Sequence, residues 1–168
     1  MNRRLKIKIM VVDDDPQFIE AVKSAAETKP YEVITAATRK AGLDRARRET
    51  PDLIMVGTLA PRGDAFELHR ELKDNPRTNS IPLLVVDARR EEHTQKGWRI
   101  DEGMQMDAED YVARPIEPSA LLGRIEKLLE RAARKVIEPA EVLERVEVVL
   151  QRVEKIEEIL TRQGIKVE

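Results

Sequence analysis

The sequence contains no cysteine and only two histidines, His69 and His93. The absence of cysteine excludes disulfide frameworks, thiolate zinc sites, iron–sulfur clusters and thiol catalysis, and two histidines do not favour a multi-histidine metal site. No apolar run approaches the length of a membrane span, and the N-terminus lacks the apolar region of a signal peptide. The formal net charge of −2 gives no support to nucleic-acid binding through a basic surface. We therefore expect a cytoplasmic protein with neither a membrane nor a nucleic acid as partner.

Charged residues are in excess and make up 37% of the 168 positions, against the usual quarter. In the first 130 residues, short apolar runs alternate with amphipathic helical patterns, which predicts an α/β fold with a parallel sheet. The runs are nearly continuous, as in a sheet that is covered on both faces. They lie at residues 7–12, 32–36, 53–56, 81–86 and 111–113.

The connecting segments carry helix signals. Asp15 and Asp64 are placed to cap the helices that follow them, and Pro16 suits a first helical turn. The polar segment 93–106 predicts one helix that includes Trp98. Because ligands of such folds bind at the carboxyl ends of the strands, the residues that stand there form the candidate site. These are Asp13, Asp14, Gly57, Asp87 and Arg114.

A resemblance to the receiver domains (CheY-like) of two-component response regulators rests on five segments that occur in order: 9–16, 51–56, 64–68, 81–86 and 108–115. The resemblance covers about residues 5–130. It implies a flavodoxin-like, doubly wound sheet of five parallel strands in the order 2-1-3-4-5. It also implies a role in phosphorelay signal transduction.

Receiver domains accept a phosphoryl group from a histidine kinase on an aspartate at the end of the third strand. An acidic pair and this acceptor hold Mg²⁺, a Lys pairs with the phosphate, and a Thr or Ser donates a hydrogen bond to it. The resemblance assigns these positions residue by residue. The acidic pair corresponds to Asp13 and Asp14, the acceptor to Gly57, the Thr or Ser to Asp87, the Lys to Arg114 and the aromatic switch residue to Tyr111.

The acceptor position departs from the family pattern. Gly57 has no carboxylate, so no acyl phosphate can form there and one metal ligand is lost. The hydroxyl of Thr58 is a weak nucleophile without a base, and adjacent side chains of a strand point to opposite faces. We therefore expect no cofactor, with weak Mg²⁺ binding by Asp13 and Asp14 as the open alternative.

The substitutions at the fourth and fifth strands suggest a compensating contact. These strands are neighbours in the implied order, about 4.8 Å apart, so we expect Arg114 to form a bidentate pair with Asp87 that locks the site without phosphate. The alternative is that both side chains face water, where a pair contributes little. The acidic pair either holds a weak cation or caps the first helix and pairs with Arg114. Tyr111 is interpreted as a packing residue.

The chain beyond the domain at 1–130 is predicted to form a helical extension. A linker over 131–139, in which Pro139 interrupts any continuous helix, leads to an amphipathic helix over 140–163 and a tail over 164–168. Gly164 suits a C-cap, and Leu143 and Leu150 broaden an apolar seam with heptad spacing. The seam consists of Val142, Val146, Val149, Val153, Ile156 and Leu160.

The seam allows two interpretations. It forms a short coiled coil that makes the protein a homo-oligomer, or it is the face of an amphipathic helix that docks on its own domain or on a partner. Three heptads alone are marginal, so self-association would need help from the receiver surface.

The leading function is a pseudo-receiver: a signalling or adaptor protein, not an enzyme, that acts through protein–protein interaction without phosphorylation. A second function is a working receiver that uses a non-standard acceptor or a non-covalent signal. The third is a ligand-binding domain or enzyme on the same scaffold. The sequence has no Gly-rich phosphate loop, nucleophile–base set or cofactor motif that would favour it.

Overall fold

The computed structural model describes residues 6–135 and 139–162. Helices and strands alternate along most of this part of the chain. In order, they are β1 (Ile7–Val12), α1 (Pro16–Ala26), β2 (Tyr31–Ala36), α2 (Arg39–Glu49), β3 (Leu53–Val56), α3 (Asp64–Asp74), β4 (Leu83–Asp87), α4 (His93–Lys96), α5 (Ile100–Met104), β5 (Asp110–Ala113), α6 (Pro118–Lys135) and α7 (Pro139–Arg162). None of the helices in the described ranges is long and apolar enough to cross a membrane.

The five strands form one sheet in the order β2-β1-β3-β4-β5, and every pair of neighbours is parallel. The predicted fold class and strand order are therefore confirmed. Successive side chains of each strand alternate between the two faces of the sheet. One face carries an apolar cluster with α2 and α3, and the other carries a cluster with α1 and α6. Two covered faces explain why the strands are apolar along nearly their whole length.

The two predicted helix caps have different outcomes. Asp15 caps α1, because its carboxylate accepts hydrogen bonds from the amides of Gln17 (2.9 Å) and Phe18 (3.3 Å). The cap predicted at Asp64 is wrong. Gly63 holds the N-cap position of α3 with a φ of 102°, a left-handed conformation that favours glycine. Asp64 is the first helical residue instead.

The single helix predicted over residues 93–106 is also wrong. The segment forms two short helices, α4 and α5, and Trp98 lies between them, flanked by the extended backbone of Gly97 and Arg99. The Trp98 ring is buried edge-on against Phe66 and His69, and its backbone amide donates to the carboxylate of Asp87. These contacts with other elements hold Trp98 outside a helix, so one continuous helix does not form over 93–106.

The boundary between two compact units falls between Glu130 and Arg131. Helix α6 crosses this boundary and continues to Lys135, so the predicted linker over 131–139 is helical in its first five residues. Residues 136–138, position 163, the predicted tail 164–168 and the cap at Gly164 lie outside the described residues. Helix α7 covers all six positions of the predicted seam.

Candidate functional site

Asp13 is the most completely buried charged residue of the candidate site. It follows β1 directly and is 0% exposed. Its Oδ1 accepts a hydrogen bond from the Asp15 amide at 2.8 Å, and its Oδ2 accepts one from the Thr58 amide at 3.0 Å and another from Arg114 Nη2. Burial raises the pKa of the Asp13 carboxyl, while Arg114 and the two amides act in the opposite direction. Asp13 is thus partnered entirely within its own chain.

Arg114 follows β5 and brings its guanidinium to the end of β1. Besides the ion pair with Asp13, its Nη1 lies 3.5 Å from Asp15 Oδ2, and its guanidinium carbon lies 4.0 Å from the centre of the Phe18 ring. The ring face attracts the cation. The Arg114 side chain is 7% exposed, and its Nε has no hydrogen-bond partner among the described residues. Arg114 therefore binds at the start of α1 rather than facing water.

Gly57 leaves the space that this ion pair occupies. It follows β3, and its amide donates to the Val12 carbonyl at 2.8 Å. A Cβ atom built on Gly57 would overlap Asp13 Oδ2 and would lie 2.8 Å from Arg114 Nη2. A side chain at position 57 and the Asp13–Arg114 ion pair are therefore mutually exclusive in this arrangement. We refer to Asp13, Gly57 and Arg114 as the strand-end site.

Asp14 lies beside the strand-end site and is partly exposed. Its Oδ1 accepts a hydrogen bond from Thr58 Oγ1 at 3.3 Å, and its Oδ2 accepts one from the Ala60 amide at 2.8 Å. Lys96 Nζ lies 4.0 Å from Oδ1. Asp14 therefore fixes the loop after β3, and the described residues contain no group of three or more side chains suited to hold a metal ion.

Asp87 does not pair with Arg114, so this predicted contact is wrong. The strand register places Asp87 opposite Ala113, and Arg114 is the next residue. Since successive side chains alternate between faces, Asp87 shares its face with Tyr111, whereas Arg114 shares the other face with Val112. Proximity of the two strands was predicted correctly, but the pleat separates the two side chains.

Asp87 instead binds three segments on its own face of the sheet. It is 2% exposed, and its Oδ1 accepts hydrogen bonds from the amides of Ala88 (2.7 Å) and Trp98 (3.3 Å). Its Oδ2 binds His93 Nε2 at 2.9 Å and accepts a hydrogen bond from the Tyr111 hydroxyl. We refer to Asp87, His93, Trp98 and Tyr111 as the Asp87 cluster. It ties α4 and the segment after it to β5.

Tyr111 is more than the packing residue that the sequence suggests. Its ring is 46% exposed, but its hydroxyl is held by the buried Asp87 carboxylate. Partial burial of the hydroxyl raises its pKa, and the hydrogen bond and the negative charge of Asp87 raise it further. The aromatic switch position is thus bound to a fixed carboxylate of the same chain.

Sequence reasoning missed Asp15, His93 and the Trp98 amide as members of these two groups. Asp15 was recognised only as a helix cap, although its second oxygen lies near Arg114. His93 stands six residues after Asp87 in a segment predicted as one regular helix. No local sequence signal distinguishes it from a solvent-facing residue.

The predicted seam lies along α7, and most of its side chains are exposed. Val142, Val146, Val149, Val153 and Ile156 have exposed fractions of 43–57%, and Leu160 is intermediate. Leu143 and Leu150, which broaden the seam, are 61% and 55% exposed. The seam therefore presents a continuous apolar stripe within one chain.

The family model of the response regulator receiver domain matches residues 9–126. The chain belongs to this family. The match includes β1 from Ile9 onward, the other four strands, and the residues of both the strand-end site and the Asp87 cluster. The receiver domain of two-component signalling is therefore confirmed as the identity of the first compact unit.

Similar proteins agree with this assignment. Response regulator PleD of Caulobacter vibrioides is 32% identical over 124 residues, which are 74% of this chain and 26% of PleD. Protein PilH of Pseudomonas aeruginosa is 29% identical over 122 residues, which are 73% of this chain and 97% of PilH. A crystal structure of a CheY-like response regulator receiver domain protein from Methanospirillum hungatei has a TM-score of 0.62 at 25% identity, covering 77% of this chain and 98% of that one. The chain thus spans about a quarter of PleD and nearly all of PilH.

Proposed function

We propose that this receiver domain acts without phosphorylation, as a signalling or adaptor module that works through protein–protein interaction. One observation carries the proposal: the Asp13–Arg114 ion pair occupies the space of the missing side chain at position 57. The position is therefore filled by the chain itself rather than vacant. A site filled in this way is suited to hold one conformation in the absence of a phosphoryl group.

No neighbouring residue is a good replacement for the acceptor aspartate. Thr58 is 2% exposed, and its hydroxyl donates a hydrogen bond to Asp14. Although the Asp14 carboxylate stands where a general base would, the Thr58 side chain is almost fully buried, so its hydroxyl is poorly accessible to a phosphoryl donor in solvent. This arrangement favours the phosphorylation-independent function over a working receiver with Thr58 as acceptor.

The residues of the acidic pair do not fit Mg²⁺ in this arrangement. Every carboxylate oxygen of Asp13 and Asp14 accepts a hydrogen bond from the protein, and Arg114 brings a positive charge to Asp13. Mg²⁺ requires a near-ideal octahedral set of oxygen ligands, and position 57 supplies none. We therefore include the absence of a resident Mg²⁺ ion in the proposal.

The Asp87 cluster supports the same proposal at the switch position. A buried carboxylate on β4 holds Tyr111 of β5 and His93 of α4 together. The hydrogen-bond partner of the switch residue is thus a permanent part of the chain. A surface shaped by α4 and β5 would keep its conformation regardless of any phosphoryl donor.

The setting and partners in this proposal are those that the sequence predicts. We propose a cytoplasmic location and a protein partner, with no enzymatic activity and no nucleic-acid binding. The exposed stripe on α7 supports a role of this helix in assembly or partner docking.

Intact-mass spectrometry after incubation with acetyl phosphate and Mg²⁺ tests phosphorylation independence. We expect no added phosphoryl group on the full chain, while a receiver domain with an intact acceptor aspartate gains one under the same conditions. Light scattering with and without the phosphoryl donor should give the same mass for the assembly. A phosphoryl adduct on the wild-type chain that is lost in Thr58→Ala would overturn the proposal in favour of the working receiver.

A further inference from the structure

Helix α7 can be described by a heptad that follows from the spacing of its apolar residues. Counting Val142 as position d, the a positions hold Val146, Val153 and Leu160, and the d positions hold Val142, Val149 and Ile156. A strict a/d repeat is the pattern by which helices pair through a coiled-coil seam. The register also identifies the flanking e and g residues, which set partner choice and orientation.

The flanking charges are complementary in one orientation only. Arg152 holds a g position and Glu157 holds the e position of the next heptad, and both side chains are exposed. Within the described residues, neither has an ion-pair partner in its own chain. In a parallel pair of helices, position g of one chain faces position e of the next heptad of the other chain. Arg152 of each copy then meets Glu157 of its neighbour.

The antiparallel arrangement lacks this match. There, g positions face g positions, so that Arg152 of one copy meets Arg152 of the other, and like charges repel. In the parallel arrangement, Arg145 at the preceding g position faces Leu150, whose apolar surface can pack against the alkyl stem of the arginine. Leu150, which is 55% exposed in the single chain, would be partly buried by this contact.

We propose that the partner of the α7 seam is α7 of further copies of this chain, aligned in parallel and in register. The inference rests on the assembly part of the proposed function and deepens it by naming the partner and its orientation. It predicts that the N-terminal ends of the paired α7 helices lie at the same end of the helical bundle.

The position-specific test compares two valines of the same helix. Val149→Asp places a charge at a d position of the seam, whereas Val148→Asp places it at position c, and both wild-type side chains are exposed in the single chain. Light scattering of the full chain over a concentration series should give a mass above that of the monomer for wild type and Val148→Asp, and a loss of assembly in Val149→Asp. A monomeric wild type at every concentration would overturn both the assembly and this inference.

Orientation is tested by single cysteines, since the natural chain has none. Val142→Cys and Ile156→Cys each place a thiol at a d position, near opposite ends of the seam. In the parallel arrangement each variant alone forms disulfide-linked dimers on mild oxidation. In the antiparallel arrangement, two copies of the cysteine at position 142 lie about 27 Å apart at 1.5 Å per residue. Absence of the disulfide in both variants, with the solution mass intact, would overturn the parallel orientation but leave the assembly standing.

Charge reversal gives an independent readout of the same contact. Arg152→Glu should weaken assembly because it sets two carboxylates against each other, and the double variant Arg152→Glu/Glu157→Arg should restore it. In the antiparallel arrangement, Arg152→Glu merely exchanges one like-charge contact for another, and the second substitution has no partner to restore. Equal masses for the single and double variants would therefore contradict the parallel arrangement.

Discussion

The strand-end site and the α7 seam differ in which side chains are buried: the charged groups of the site are buried, and most apolar residues of the seam are exposed. At the strand-end site, a carboxylate and a guanidinium that would be costly to bury alone are buried together, and they fill the space beside Gly57. Along α7, apolar side chains that would be favourable to bury remain exposed. The charged groups of the strand-end site thus have partners within the receiver unit, whereas the apolar stripe on α7 is exposed.

Removal of the Asp13 carboxylate should cause the greatest loss of stability at the strand-end site. Asp13→Ala removes one partner of a buried ion pair and leaves Arg114, together with the amides of Asp15 and Thr58, without the carboxylate. Loss of one partner of a buried pair costs about 3–5 kcal/mol. We expect the free energy of unfolding, measured by urea denaturation, to fall by this amount.

A double variant serves as the control for that prediction. Asp13→Ala/Arg114→Met removes both charges, so no unpaired ion remains buried. The double variant should be destabilised by less than the sum of the two single variants. Additive losses would mean that the ion pair is not the contact that closes the site.

A smaller effect is expected from filling the space at position 57. Gly57→Ala adds a Cβ that overlaps the Asp13 carboxylate, which is held by three donors and has little freedom to move. Overpacking of a buried site costs about 1–3 kcal/mol. The matched control is Gly123→Ala in α6, where a Cβ meets no atom within 4 Å. That substitution should instead stabilise the helix by about 1 kcal/mol.

Together, Gly57→Ala and Gly123→Ala separate the effect of a close side-chain contact from that of backbone conformation. Neither Gly57 nor Gly123 has a positive φ, so neither needs glycine for its backbone conformation. If Gly57→Ala were as stable as wild type, the Asp13–Arg114 ion pair would not depend on the missing side chain.

The sequence predicted the sheet and the set of residues at its carboxyl edge better than it predicted their contacts. The strand order and the placement of Asp13, Gly57 and Arg114 at strand ends follow from apolar runs and from the family motifs. The prediction for Asp87 is wrong because the last side chains of neighbouring strands do not necessarily point to the same face of the sheet. The register pairs Asp87 with Ala113, so one residue of offset reverses the face.

The remaining differences come from contacts that are remote in sequence. Asp15 caps its helix as predicted because its capping hydrogen bonds are local, to amides two and three residues further along the chain. The break in the predicted helix at Trp98 depends on Phe66, His69 and Asp87, which belong to other elements. Periodicity alone carries no information on such partners, and the segment has no proline to mark the break.

The smallest expected effect concerns His69 of the receiver unit, a buried residue with only one of its two ring nitrogens hydrogen-bonded among the described residues. His69 Nε2 accepts a hydrogen bond from the Asp107 amide at 3.0 Å, which places the ring proton on Nδ1, and Nδ1 has no partner among the described residues. Burial lowers the pKa of His69. The unfolded chain then binds more protons than the folded chain in the window below the usual pKa of about 6.5. Stability is therefore full above this window and falls as the pH falls through it.

His69→Gln keeps an acceptor for the Asp107 amide but removes the titratable ring, whereas His93 remains in both proteins. Urea denaturation at about pH 7.5 and about pH 5.5 should show a greater loss of stability in wild type than in His69→Gln, because only wild type must protonate a buried imidazole on unfolding in acid. The difference between the two proteins isolates His69 from His93, whose pairing with Asp87 is common to both. An equal loss of stability in the two proteins would assign the acid sensitivity to other groups.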